Sequence, residues 1–334
     1  MPVALLMVLF VLSPGLAFAQ EGSPLTALAG SFHLLPREAK VAPLDTTAPD
    51  IASFDAPPPD RRQPNHALTA LFSVGVIAGS AANSFHESPH QSFHFTNEGF
   101  FGQSTYAGGA DKASHFVDYA ILSKELKNVY QLLGYDRTTS IWLGWGVATA
   151  AGLMTEIGDG TTFFGFSYED FVMDTAGATA AAIVAATRTE DLIGFRSGFL
   201  LPSSGRATCC AVPGKGRDYS NEIYTVDLKL QGVARRAEIG IGPLRYLLVS
   251  ITYGSKGYPS GVPQLRERQV GIEIGLNFEQ ILDDLRVTRS TWWGYGLHLV
   301  FDNVRFPYTS VGFQYDLNHD QWRGPNNGNS FMSP

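Results

Sequence analysis

Cysteine is almost absent from this 334-residue chain: there are two, Cys209 and Cys210, and they are neighbours. A disulfide framework needs separated pairs, and a bond between neighbours closes a small strained ring. The pair reads as ordinary thiols in a loop, with a redox role as the alternative. Basic runs are missing as well. The chain carries 24 Lys and Arg against 31 Asp and Glu, a net charge of -7, with no interleaving of basic and aromatic residues, so it has no nucleic-acid footprint. No GxSxG elbow, HExxH helix or P-loop is present. The Lys/Arg-Pro, Ser-Gly-His and Arg/His groupings used by membrane lipid phosphatases are also missing.

The N-terminus reads "MPVALLMVLFVLSPGLAFAQEG", an apolar run, a Pro-Gly break and then Ala17-Phe18-Ala19. This is the pattern of a secretory signal peptide over 1–19, with cleavage after Ala19. No Lys or Arg precedes the run, and it is short for a membrane anchor. No Cys lies beside the cleavage position, so a lipid-modified N-terminal Cys is not expected there. Residues 20–63 include "DAPPPDRRQPN" and read as a disordered linker.

Composition changes over 64–187, the expected helical bundle domain. "ALTALFSVGVIAGSAANSF" (67–85), "TTSIWLGWGVATAAGLMT" (138–155) and "TAGATAAAIVAAT" (175–187) carry no Lys, Arg, Asp or Glu. Between the first two, "SHFVDYAILSKELKNVYQLL" (114–133) gives an amphipathic helix whose apolar side holds Phe116, Tyr119, Ile121, Leu122 and Leu126, with Gly134 ending it. Small residues recur at helix spacing, at Gly144, Ala148 and Gly152, and at Gly177, Ala181 and Ala185. Such stripes suit a membrane bundle or a tight soluble one equally. Four Lys or Arg face eleven Asp or Glu in this region.

After a second linker (188–221) the period changes to two. "IYTVDLKLQ", "YLLVSITYG", "QVGIEIGLNF", "WGYGLHLVF" and "SVGFQYDL" each alternate apolar and other residues between turn signals. With "AEIGIG" (237–242) they predict about six strands in an antiparallel β domain over 222–318, followed by a disordered tail, 319–334. Six strands are too few for an outer-membrane barrel. The fold class is therefore α+β: about four helices, then an antiparallel sheet or partial barrel that packs its apolar face on the bundle or on the membrane.

The chemistry concentrates in three segments. Asp111 and His115 are four apart and share a helix face, with Lys112 adjacent. "MTEIGDG" supplies Glu156 and Asp159. "GFSYEDFVMDTAGA" supplies Asp170 and Asp174, with Ser167 placed to cap the helix. Five carboxylates with one Lys and one His repel unless some are protonated, solvated or bound to a cation. Three readings stay open: a buried structural network, a divalent metal held by His115 with Asp111 and Glu156, or metal-free acid-base chemistry at His115. A separate group, "HESPHQSFH", spaces His86, His90 and His94 four apart, but Pro89 breaks the run and a surface loop is expected.

The pattern "DKASHF … TEIGDG … GFSYEDFVMDTAGA" resembles the YfiM-like family of predicted periplasmic lipoproteins of Gram-negative bacteria, a domain of unknown function, over about 105–187. The matching residues are Asp111, Lys112, His115, Glu156, Asp159, Ser167, Asp170, Asp174 and Gly177. A more distant likeness is to VanZ-like membrane proteins, which place an Asp-Lys-x-x-His motif before a helix. The resemblance implies an exported protein of the periplasm or outer membrane. The preferred expectation is a membrane-associated binding or structural component with lipid or an envelope protein as partner. The competing one is an enzyme acting on an envelope lipid or glycan through the His/carboxylate cluster.

Overall fold

The computed structural model describes residues 63–85, 90–200, 218–258 and 262–326. The expected signal peptide, nearly all of the first linker, Cys209, Cys210 and His86 lie outside the described residues.

Among the described residues, four helices form the first half: α1 (His66–Phe85), α2 (Ala110–Leu132), α3 (Arg137–Asp159) and α4 (Tyr168–Ala186). Their ends follow capping chemistry. The Asp136 side chain accepts from Thr139 N at the start of α3, and Ser167 accepts from Asp170 N at the start of α4, as its position before Asp170 predicted. Gly134, with φ +99°, closes α2. The central helix is α2, packed on α3 and α4, while α1 packs on α3. Tyr119, Leu122, Leu126 and Tyr130 of α2 meet Val76, Ala148, Ala151 and Ala178 in one core.

The small-residue stripes are contact surfaces between these helices. A Cβ at Gly177 would stand 1.9 Å from the carbonyl oxygen of Phe116, so α4 approaches α2 only because that position has no side chain. None of the described helices is long and apolar enough to cross a membrane.

The second half is a seven-stranded sheet: β3 (Ile193–Phe199), β4 (Glu222–Lys229), β5 (Leu247–Lys256), β6 (Glu267–Leu276), β7 (Val304–Arg305), β8 (Ser310–Asp316) and β9 (Gln321–Asn326). Their order is β7-β3-β4-β5-β6-β8-β9, antiparallel except for the parallel pair of β3 and β7. Three helices accompany it: α5 (Leu230–Ala237), α6 (Phe278–Asp284) and α7 (Trp292–Asn303). The sheet curls strongly. Arg305 on β7 donates to both carboxylate oxygens of Glu273 on β6, at 2.8 and 3.0 Å from Nη2. Four strand spacings separate these strands along the sheet, roughly 19 Å if it were flat. An Arg side chain spans that separation only across a concave face.

The α+β class and the partial barrel stand, with four differences in detail. "WGYGLHLVF" is helix α7: Thr291 caps it by accepting from Gly294 N, and Trp293, Leu297 and Val300 share a face at i, i+4 and i+7, a pattern that alternation mimics over a short run. "AEIGIG" forms no strand, because Glu238 and Gly242 both take positive φ and Pro243 follows. The stretch read as a second linker contributes β3, and the stretch read as a tail contributes β9.

Alternation along the strands sorts residues in the direction opposite to a soluble sheet. On β6 the buried set is Gln269, Gly271, Glu273 and Gly275, and the exposed set is Val270, Ile272, Ile274 and Leu276. On β8 Ser310, Gly312, Gln314 and Asp316 are buried, while Val311 and Phe313 are exposed. Register aligns the apolar residues into rows, Val226–Ile251–Ile272–Phe313 and Leu228–Val249–Ile274–Val311. Helix α2 covers the β3 and β4 end of this convex face, where Phe195, Tyr224 and Val226 pack with Val117 and Ala120. Among the described residues, the β5, β6 and β8 end stays bare.

Two substitutions separate contact from propensity in the bundle. Gly177→Ala is expected to destabilise the fold by about 1–3 kcal/mol, because its methyl meets backbone that cannot yield. Gly146→Ala on α3, where nothing lies within 4 Å of the new Cβ, is expected to stabilise it by about 0.5–1 kcal/mol. Thermal unfolding of both variants checks the pair.

Candidate functional site

The polar cluster forms where the N-terminal ends of α2 and α4 meet the C-terminal end of α3. A short parallel pair, β1 (Phe95–Thr96) with β2 (Phe166–Ser167), ties the preceding loop to the start of α4 and delivers Glu98 to the same place. A 3-10 turn, Tyr106–Gly109, leads into α2. Gly109 has φ +88°, and a Cβ there would strike Phe101 and the carbonyl of Phe100, so the "GGADK" opening requires glycine at that point. The sheet grips this turn: Ser255 Oγ donates to Ala107 O at 2.6 Å and Tyr253 Oη donates to Gly108 O.

Lys112 has no exposed side-chain surface. Its Nζ lies 2.6 Å from Asp111 Oδ2, 2.6 Å from Asp170 Oδ1, and in contact with Glu98 Oε2. Asp111 Oδ1 also accepts from Tyr219 Oη, on the approach to β4. Next to this cage stands His115. Its Nδ1 lies 2.7 Å from Asp174 Oδ1, and its Nε2 stands 3.9 Å from Asp111 Oδ1 and 3.8 Å from Asp170 Oδ1. The His115 ring stacks parallel over Tyr119, with centroids 6.2 Å apart. Glu156 Oε2 accepts from Ser167 N at 3.0 Å.

Burial and charge pull these groups apart electrostatically. Burial opposes the Lys112 charge, but Asp111, Asp170 and Glu98 together outweigh it and raise its pKa well above the ordinary lysine range. Burial likewise opposes ionisation of Asp111, yet Lys112 and His115 hold its carboxyl far below the usual carboxylate range. Glu98 is pushed up to about 9 by burial, with Asp111 adding to the push and Lys112 opposing it. Burial pushes Asp174 up to about 7 against the pull of His115. It also raises Glu156 well above its usual range. His115 is disfavoured as a cation by burial, but Asp170 and Asp174 reverse that and raise its pKa.

Five of the seven residues singled out by sequence spacing fall into two neighbouring sets that share His115. Asp111, His115 and Asp170 form one; His115, Glu156 and Asp174 form the other, with ligand atoms in each set within 4.8 Å of one another. The trio His115, Asp111 and Glu156 weighed from the sequence thus straddles the two. Asp159 is half-buried one turn beyond Glu156; its charge acts on Glu156 and Tyr119, but it supplies no atom to either set. Glu98 and Tyr219 escaped the sequence reading because neither lies on a helix, so no helical spacing links them to Asp111. Of the "HESPHQSFH" group, the described His90 and His94 do not join the cluster: they lie in the loop just before β1, and His94 Nδ1 is 3.2 Å from the Ser92 carbonyl oxygen in its own loop.

Glu98 generates a pH prediction. Its pKa is higher in the folded chain than the 4.5 of an ordinary glutamate, so the folded state keeps a proton that the unfolded state releases. That contribution is full below pH 4.5 and is lost as pH rises towards 9. Glu98→Gln keeps the neutral form at every pH. The variant is expected to melt near the wild type at pH 4.5 and above it at pH 8.5, by circular dichroism. A difference that does not change with pH would contradict the assignment.

No curated protein and no solved structure matches the chain. The segment that builds the cluster, residues 97–186, matches the family described as a predicted periplasmic lipoprotein (DUF2279), and that description supports export to the cell envelope.

Proposed function

We propose that this is an exported envelope protein that lies against the outer membrane through the bare convex face of its sheet and serves there as a structural, membrane-associated component. The observation that carries the reading is the reversed sorting of the sheet. Ile251, Ile272, Ile274, Val311 and Phe313 are each more than half exposed, while the opposite face buries Asp227, Glu273, Gln314 and Arg305. Contiguous apolar surface of this kind is costly in water and marks a contact with another apolar phase or partner. Polar inside and apolar outside is the arrangement that hydrocarbon favours in outer-membrane sheets.

The boundaries of the apolar rows support lipid over a protein partner. Tyr308 precedes β8, and at its far end Tyr315 packs against Trp322 with the rings tilted by 58° and centroids 5.2 Å apart. Tyr308 lies in the turn before β8, with φ +61°, and the strand from Ser310 to Tyr315 spans about 17 Å. Outer-membrane sheets likewise flank their apolar band with aromatic residues at both interfaces. In this reading the buried cluster fixes the register of α2, α3 and α4, and so holds the bundle against the sheet.

Flotation of the full chain with phospholipid vesicles tests the proposal. The wild type is expected to float with the vesicles in high salt. The Ile272→Lys, Phe313→Lys variant keeps the buried face intact and is expected to retain its circular dichroism spectrum but stay at the bottom of the gradient, since each lysine costs about 2–4 kcal/mol near mid-bilayer. Wild type that does not float, or a variant that floats equally, would sink the reading.

A further inference from the structure

The two carboxylate sets that share His115 differ in one respect. The Asp111–Asp170 set already contains a cation, since Lys112 Nζ stands 2.6 Å from both of them. The Glu156–Asp174 set has only His115. Glu156 Oε1 and Asp174 Oδ2 are buried without a hydrogen-bond partner, and both residues are at least 99 % buried. A buried carboxylate oxygen left unpaired costs free energy that a bound cation would recover. Gly152 lies one turn before Glu156 on the same face of α3, and Asp174 packs on it so closely that a Cβ there would stand 2.5 Å from Oδ2, which holds Asp174 beside Glu156.

We propose that His115, Glu156 and Asp174 bind one first-row divalent transition-metal ion, and that Lys112 is the permanent cation of the adjoining set. The donor atoms lie within 4.8 Å of one another, so small side-chain movements bring them to the roughly 2.0–2.2 Å of nitrogen and carboxylate bonds to such an ion. Nδ1 of His115 faces the set; on metal binding it exchanges its hydrogen bond to Asp174 for the ion. Nε2 then carries the ring proton and faces Asp111 and Asp170, which orient the imidazole as outer carboxylates orient metal-bound histidines. One imidazole nitrogen favours zinc, iron, copper or nickel over calcium and magnesium, which prefer all-oxygen shells. His115 keeps 18 % of its side-chain surface exposed, which gives the ion a way in. Three protein ligands leave a coordination position open.

The inference is independent of the membrane reading, because it concerns the bundle interior and is read on the full chain purified in detergent. The chain is stripped with chelator, desalted, and titrated with Zn2+ alone, followed by elemental analysis and X-ray absorption at the zinc edge. About one retained equivalent, in a shell of one imidazole and otherwise oxygen, is the expected result. Glu156→Gln and Asp174→Asn, which keep volume, are expected to weaken binding more than about 100-fold, whereas His90→Ala is expected to change nothing. A folded wild type that retains no zinc overturns the proposal. So does a shell with two or more imidazoles, which would place the ion on surface histidines whether or not the variants fold. Retention unchanged in folded Glu156→Gln and Asp174→Asn overturns it too.

Discussion

Polar groups turned inward must satisfy one another, and most of this architecture follows from that constraint. Lys112 sits at the centre of the helical half without exposed surface, held by Asp111, Asp170 and Glu98. Inside the sheet, Arg196 pairs through Nε and Nη2 with Asp227, and Arg305 pairs with Glu273, Ser310 assisting. At the seam, Lys229 Nζ reaches Glu279 at 2.6 Å and Asp302 at 2.7 Å, while Lys124 reaches Asp302 from α2. Removing one ionised partner, Asp227 from Arg196 or Glu273 from Arg305, strands a charge and costs about 3–5 kcal/mol, whereas the intact pair contributes little net stability over an apolar substitute. The pairs therefore specify the arrangement more than they drive it. Because the concave face of the sheet is filled with them, the apolar side chains of the same strands are left outside.

The same constraint joins the two halves. Tyr219 reaches Asp111 from the approach to β4, and Tyr253 and Ser255 hold the carbonyls of the turn that starts α2. At the other end of α2, Lys124 and Lys127 meet Asp302 and Glu190. Helix α2 is thus pinned to the sheet near both ends, and its middle packs Val117 and Ala120 against Phe195 and Tyr224. The cluster and the sheet form one connected polar framework, so a change at Asp111 is felt by Tyr219 as well as by Lys112.

Much of this was legible in the sequence, for identifiable reasons. The helices announced themselves through uncharged runs, Ser167 and Gly134, and the spacings of Asp111 with His115 and of Asp170 with Asp174 put each pair on one face. Strict alternation over "QVGIEIGLNF" and "SVGFQYDL" defined which residues share a face of β6 and β8. It could not say which face is buried, because period two is the same whichever side meets the interior. "WGYGLHLVF" misled because a helix with apolar residues at i, i+4 and i+7 can also alternate over nine residues. Glu98 and Tyr219 were hidden because the contacts that bring them to Lys112 and Asp111 span 14 and 108 positions outside any regular period.

The central claim is that the convex face of β5, β6 and β8 meets hydrocarbon while the concave face stays closed. Spin labels at positions 272, 274 and 314, placed one at a time in a chain with Cys209 and Cys210 changed to Ser and reconstituted in vesicles, test it by power saturation. Labels at 272 and 274 relaxed by oxygen and shielded from a water-soluble nickel complex, with the label at 314 reached by neither, is the predicted result. Nickel access at 272 and 274 equal to that of an exposed loop would contradict it.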